Sequence, residues 1–143
     1  MSGLLLDTNV VSEYARAKGP EKQVRRWVDQ QQEDILYLSV LTIGEVRNGT
    51  VRLVDGRRRQ QLQQWLETDL KERFGQRLLP INSEIADIWG TITGQSQIKG
   101  ITLPIVDGLI AATVIHHKLT LVTRNTKDFA AWNVPLLNPW EVK

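Results

Sequence analysis

The chain is 143 residues long, which suits a single domain, residues 1–143, around one core. Hydrophobic residues make up 41% and charged residues 24%, ordinary globular usage that argues against disorder, and the net charge of +2 permits a nucleic-acid partner without pointing to one. There is no cysteine, which excludes disulfides, thiolate metal sites and cysteine nucleophiles, and no apolar stretch is long enough to span a membrane, so a cytoplasmic protein is expected.

In chain order, Leu4-Leu5-Leu6 lacks a preceding basic region and ends at Asp7, so it reads as a buried strand rather than a signal peptide. Val24, Trp27 and Val28 have helical spacing. Ile35 to Val40 is a second apolar run. Leu62, Trp65, Leu66 and Leu70 form a further helical stripe. Leu78-Leu79-Pro80-Ile81 is a third strand, weakened by its proline. Ile85, Ile88, Trp89 and Ile92 predict another helix. Ile105, Leu109, Ile110, Ala112 and Thr113 belong to a helix apolar almost all round and expected in the core. Leu119 to Thr123 is the strongest strand, and Pro135-Leu136-Leu137 adds a short edge strand. Strands alternating with helices predict an α/β domain, with a mostly parallel central sheet flanked by helices on both faces. Chemistry in such sheets gathers at the C-terminal ends of the strands.

Acidic residues fall where that edge is expected. Asp7 ends the first strand, Glu45 follows the second, Asp107 lies in the first turn of the apolar helix, and Asn125 and Asp128 follow the last strong strand. Each has an ordinary reading. Asp7 can cap a helix, and Thr42 with Glu45 fits a capping box. Asn125 can be an N-cap, with Asp128 in the first turn behind it. Asp107 suits a helix macrodipole, but its apolar surroundings make a carboxylate costly there. As a set, parallel strands would bring these carboxylates together, where they would repel one another. A divalent cation resolves that conflict, and oxygen donors without His or Cys select Mg²⁺ or Mn²⁺ over Zn²⁺.

The stretches Leu-Leu-Leu-Asp-Thr-Asn-Val-Val-Ser-Glu, Leu-Ser-Val-Leu-Thr-Ile-Gly-Glu-Val-Arg-Asn-Gly, Pro-Ile-Val-Asp-Gly-Leu-Ile-Ala-Ala-Thr-Val and Leu-Val-Thr-Arg-Asn-Thr-Lys-Asp-Phe resemble, in order, the four motifs of PIN domains. The closing Leu-Leu-Asn-Pro-Trp-Glu is similar to the VapC and FitB toxin group. The resemblance implies a Mg²⁺- or Mn²⁺-dependent ribonuclease that hydrolyses RNA phosphodiesters as the toxin of a bacterial toxin–antitoxin pair. It implies an acidic metal site of Asp7, Glu45 and Asp107, with Asp128 as the fourth acid. Thr8 and Thr123 match hydroxyl positions that orient the site. Asn125 matches a position occupied by Asp in some relatives, which leaves one or two metals open. It also implies a homodimer and a small antitoxin, which binds DNA at one end and covers the toxin's groove with the other. An exposed apolar stripe on an early helix would suit either contact.

The remaining features are less pointed. His116 and His117 are adjacent on a helix, so they cannot face one another across a phosphate. Arg57, Arg58 and Arg59 read as a solvated helix start or as a basic patch for RNA phosphates or an acidic partner segment. Arg124 either contacts the RNA strand or balances the local acid. Trp27, Trp65 and Trp89 fall on apolar helix faces, while Trp132 and Trp140 lie outside any periodicity and fit packing better than base stacking. Two rival readings are an inert RNA- or protein-binding module on the same fold, and a phosphatase with an aspartyl nucleophile. The second usually carries an acid two residues on, where this chain has Asn9.

Overall fold

The structure, a computed structural model, describes residues 3–142; Met1, Ser2 and Lys143, at the ends of the expected domain, lie outside the described residues. Five strands form the sheet: β1 (Leu4–Leu6), β2 (Leu36–Ser39), β3 (Leu78–Leu79), β4 (Thr120–Val122) and β5 (Leu136–Leu137). Their order is β3-β2-β1-β4-β5 and every pairing is parallel. Leu4 faces Leu36 on one side and Thr120 on the other, and Val122 faces Leu137.

Apart from β1, which matches its run, the strands are shorter than the apolar runs that predict them. Val40 is already helical because the Ser39 hydroxyl accepts the Leu41 N–H and caps α3 (Val40–Val51). β3 stops before Pro80, which has no N–H for the ladder.

Helices cover both faces, as expected. Consecutive residues of a strand point to opposite sides, so the triplet Leu4-Leu5-Leu6 serves two cores. Leu6, Leu36, Leu38 and Val122 pack on one side against α1 (Thr8–Glu13), α2 (Lys22–Asp29), α3 and the helical run from residue 57 to 74. Leu5, Leu79 and Leu121 pack on the other against α7 (Ile105–His117) and α8 (Thr126–Phe129). The 57–74 run is not one regular helix. α4 (Arg57–Gln64) passes through a π-helical segment (Trp65–Leu70) into α5 (Lys71–Phe74). Leu66, Leu70 and Phe74 are buried, while Leu62 and Trp65 are only half-buried.

α7 is less enclosed than its composition suggests. Gly108, Ile110, Ala111, Ala112, Thr113 and Val114 are buried, but Ile105 is 66% exposed. Its first turn stands at the C-terminal edge of the sheet, above the layer that the rest of the helix covers. α7 lies close against α6 (Ser83–Ile98), and the approach depends on Gly108. A Cβ there would stand 2.9 Å from Thr93 Cγ2 and 3.0 Å from Trp89 Cδ1. Gly108→Val is therefore expected to destabilise the fold by about 1–3 kcal/mol through overpacking, read as a lower melting temperature.

The chain leaves β1 for β2 and β3 on one side, then returns to β4 and β5 on the other. The strand order therefore reverses between β1 and β4, and the crevice outside their C-terminal ends is where such sheets bind ligands.

Candidate functional site

Asp7 occupies that crevice. It leaves β1, bonds back to β4 through its N–H to Val122 O (2.9 Å), and caps α1 by accepting the Thr8 N–H on Oδ1 (2.9 Å). The ordinary reading of Asp7 as a cap is thus correct, yet it does not use up the carboxylate. Oδ2 accepts the Thr123 hydroxyl (2.8 Å) and the Asn9 side-chain amide (3.4 Å). Asp7 is only 8% exposed. Burial pushes its pKa above the ordinary value, opposed by the bonds from Thr123 and Thr8, with Glu45 and Asp128 pushing it further up.

Thr123, fully buried at the end of β4, joins the two strands. Its hydroxyl donates to Asp7 and receives the Asn9 amide (3.1 Å) and the Asn125 N–H (3.0 Å). Asn9 in turn accepts the Arg124 N–H (3.2 Å). Asn125 stands at the N-cap position of α8 with Asp128 in the first turn, as read from the sequence, but its side chain makes no cap bond.

On the other side, Thr8 donates to Glu45 Oε1 (2.5 Å) and contacts the Thr42 hydroxyl (3.0 Å). Thr8 has one proton, so Thr42 is the donor of that second bond. The capping box read at Thr42 and Glu45 is corrected here. Ser39 caps α3, which places Thr42 inside the helix, fully buried, and Glu45 on its exposed side.

Asp107 enters from the first turn of α7. Its pKa is pushed up to about 6, first by burial and then by Asp7, Asp128 and Glu45. All the charges acting on it have one sign. Asp128, exposed in the first turn of α8, completes the group. Four carboxylates from four segments distant in sequence thus act on one another at a single edge.

The donors are hard oxygens of high negative charge, which suits a divalent cation of the Mg²⁺ type. Among the described residues no three acidic or histidine side chains stand close enough to enclose one ion together. An ion such as Mg²⁺ keeps several of its waters and takes one or two carboxylates directly, so it does not require three in contact. His116 and His117 lie in the last turn of α7, about 15 Å along the helix from Asp107, and contribute nothing here.

A groove of about 870 Å³ opens beside the acids, lined by Thr8, Glu45 and Val106, and continues past Gly49 and Leu53 to Leu62 of α4. Neither Arg57 nor Arg58 lines it; both are exposed at the start of α4. Arg124 keeps its backbone in the site but lays its side chain over Trp140. Trp132 packs against Phe129 and donates to Ser96 (3.2 Å), so it belongs to the fold. Sequence reasoning missed Asn9 and Thr42 as parts of the site. Asn9 had a signal, because it lies in the same motif as Asp7; Thr42 had none, because its role depends on a contact 34 residues away.

The family model described as PIN domain matches residues 4–132. Toxin FitB of Neisseria gonorrhoeae is 37% identical over 137 residues, covering 96% of this chain and 98% of that protein. VapC ribonuclease Y4jK of Sinorhizobium fredii is 35% identical over 138 residues, with 96% and 98% covered. The structure of FitAcB from Neisseria gonorrhoeae superposes with a TM-score of 0.90 at 37% identity, over 97% of this chain and 99% of that one.

Proposed function

The chain belongs to the PIN domain family, and on that premise we propose that it is a divalent-metal-dependent endoribonuclease, the toxin of a bacterial toxin–antitoxin pair. The observation that carries this reading is the unbalanced acidic edge, where Asp107 is held near pKa 6 by burial and by three other carboxylates. Without a cation to occupy it, such a cluster is a cost to the fold with no return. That argues against the inert-module reading.

Asp7 and Asp107 would hold the ion, Mg²⁺ or Mn²⁺, with Glu45 and Asp128 completing its surroundings directly or through water. When bound, such an ion lowers the pKa of a water and stabilises charge on a phosphodiester. The protein's own part is orientation and proton transfer. Thr123, Asn9 and the Thr8 N–H fix the Asp7 carboxylate, while Thr42 and Thr8 fix Glu45. Buried Asp7 and half-buried Asp107 keep their position, and one of the two exposed carboxylates, Glu45 or Asp128, accepts the proton of the attacking water. No side chain need form a covalent intermediate. The aspartyl-phosphatase alternative has no acid at position 9 to serve it; that residue is Asn9, committed to Thr123 and Arg124.

The partner follows from the relatives. FitAB has been solved bound to a DNA fragment, and this chain is 35% identical to a chain of that structure, with a TM-score of 0.89. A small antitoxin with a DNA-binding part is the corresponding partner here. The groove along α3 is partly apolar and runs past Leu53, which is 38% exposed, to Leu62, so it suits a segment of such an antitoxin. Exposed Ile98 and Ile105, at the ends of α6 and α7, offer a second apolar surface suited to a homodimer.

The test is cleavage of RNA by the purified chain. Mn²⁺ or Mg²⁺ is expected to support cutting, chelator to stop it, and added metal to restore it. Cutting that persists in chelator would sink the reading. The supporting frame has its own prediction. Thr123→Val keeps the shape but removes the hydroxyl that joins Asp7, Asn9 and Asn125. By analogy with outer-shell partners at metal sites, it is expected to lower cleavage about 10–100-fold, measured at saturating metal.

A further inference from the structure

Arg124 stands one residue beyond Thr123, with four carboxylates at the same edge, yet among the described residues it forms no ion pair. Other arginines do: Arg47 holds Glu67 (2.8 Å) and Arg73 holds Glu33 (2.9 Å). The Arg124 guanidinium lies instead over the ring of Trp140, 5.1 Å from its centroid. The backbone is held at both residues of this pair. The Arg124 N–H donates to Asn9, and the Trp140 N–H donates to Asn138 Oδ1 (2.9 Å). Trp140 is half-buried and rests on the hydrophobic cluster behind it. Because β4 and β5 are parallel and paired, with Thr123 N–H donating to Leu137 O (2.9 Å), Arg124 and Trp140 leave the sheet at the edge that carries Asp7.

A guanidinium lying over an aromatic ring is held by cation–π attraction on that side, and because Arg124 is exposed its other side is open to solvent. Nucleobases of single-stranded RNA stack on such planes. Trp140 holds the plane still, so less freedom is lost when a base arrives. We propose that Arg124, backed by Trp140, is the platform on which a nucleobase of the RNA strand stacks beside the phosphate held at the acidic edge. It sets both affinity and base preference, favouring purines for their larger face. This rests on the ribonuclease reading and adds to it the residue that selects the flanking nucleotide.

The test combines cleavage and binding. Arg124→Lys keeps the charge and loses the plane; Trp140→Leu removes the backing; Trp140→Phe keeps a ring. Stacking predicts that Arg124→Lys raises KM for RNA about tenfold and lowers kcat less than about threefold, that Trp140→Leu does likewise, and that Trp140→Phe recovers most of the loss. An oligoribonucleotide carrying 2-aminopurine at successive positions is titrated into the Asp7→Asn protein and the Asp7→Asn/Arg124→Lys protein. One position is expected to be quenched with Arg124 and not with Lys. An Arg124→Lys variant that binds and quenches like its parent overturns the platform, because a phosphate contact needs only charge. So does a Trp140→Leu variant of unchanged KM and lower melting temperature, the mark of a packing role. If the wild-type protein cuts no RNA with metal, the ribonuclease reading fails separately, and the quenching titration still decides whether the platform holds a base.

Discussion

Asp7→Asn is expected to reduce metal-dependent RNA cleavage by about a thousandfold or more while the protein stays folded. The magnitude follows from loss of a ligand to an ion whose charge stabilisation is worth several kcal/mol, at about 1.4 kcal/mol per factor of ten. Retention of the fold follows from the local bonds. Asn caps a helix about as well as Asp, and its oxygen can keep the Thr8 N–H bond that now binds Asp7 Oδ1. The amide group replaces Oδ2, so Thr123 loses its charged acceptor and Asn9 meets a second donor. That local loss is offset by removal of a buried charge whose burial already raises its pKa. The two changes oppose each other, and the melting temperature is expected to move by no more than a few degrees. Asp7→Ala is a poorer test, since it removes the cap as well. Cleavage at the wild-type rate by a folded Asp7→Asn protein would falsify the proposed site. An ion titration by calorimetry separates the two roles of the residue, because binding is expected to vanish with the charge even where the cap survives.

How far the sequence foretold this arrangement depends on the range of each interaction. The strands and their parallel order were readable because a short apolar run is a local signal and Leu4-Leu5-Leu6 must serve two cores. The acids were readable as a set, since Asp7 ends a strand, Asp107 and Asp128 lie in first turns, Glu45 follows β2 inside α3, and the topology brings those points together. The failures concern position at the ends of elements. Ser39, not Thr42, caps α3, and that one-turn difference turns Thr42 from a cap into a buried support for Thr8. Ile105 was expected in the core because composition does not reveal that the first turn of α7 stands above the sheet. The π-helical segment at Trp65–Leu70 leaves the apolar spacing nearly intact, so periodicity could not show it. Arg124 was readable as part of the site, but the choice between its carboxylate neighbours and Trp140 is a matter of side-chain direction, which no motif encodes.

Asp107→Asn separates function from stability in the opposite way. Asp107 accepts no hydrogen bond from a described side chain that would hold it ionised, and its pKa rises from 3.8 to about 6 by burial and by three like charges. A carboxyl whose pKa is raised in the fold binds its proton more tightly there than in the unfolded chain. Stability from this group is therefore present below about pH 4, falls as pH rises through about 6, and is gone above that. At neutral pH the charged form is a burden that Asn does not carry. Allowing for solvent screening of a half-buried group, the variant is expected to be more stable by about 1 kcal/mol at pH 8, a gain of about 2–5 °C in melting temperature. At pH 4 the two proteins should melt together. Added Mn²⁺ should reverse the order at pH 8, because a cation stabilises only the protein that binds it. Cleavage should be lost in the variant at every pH, and in the wild type it should fall as Asp107 is protonated and the ion released. A variant that is no more stable at pH 8 than at pH 4, relative to wild type, would mean that Asp107 is compensated by something other than a metal. The repulsion among the four carboxylates would then not be the reason the site takes a cation.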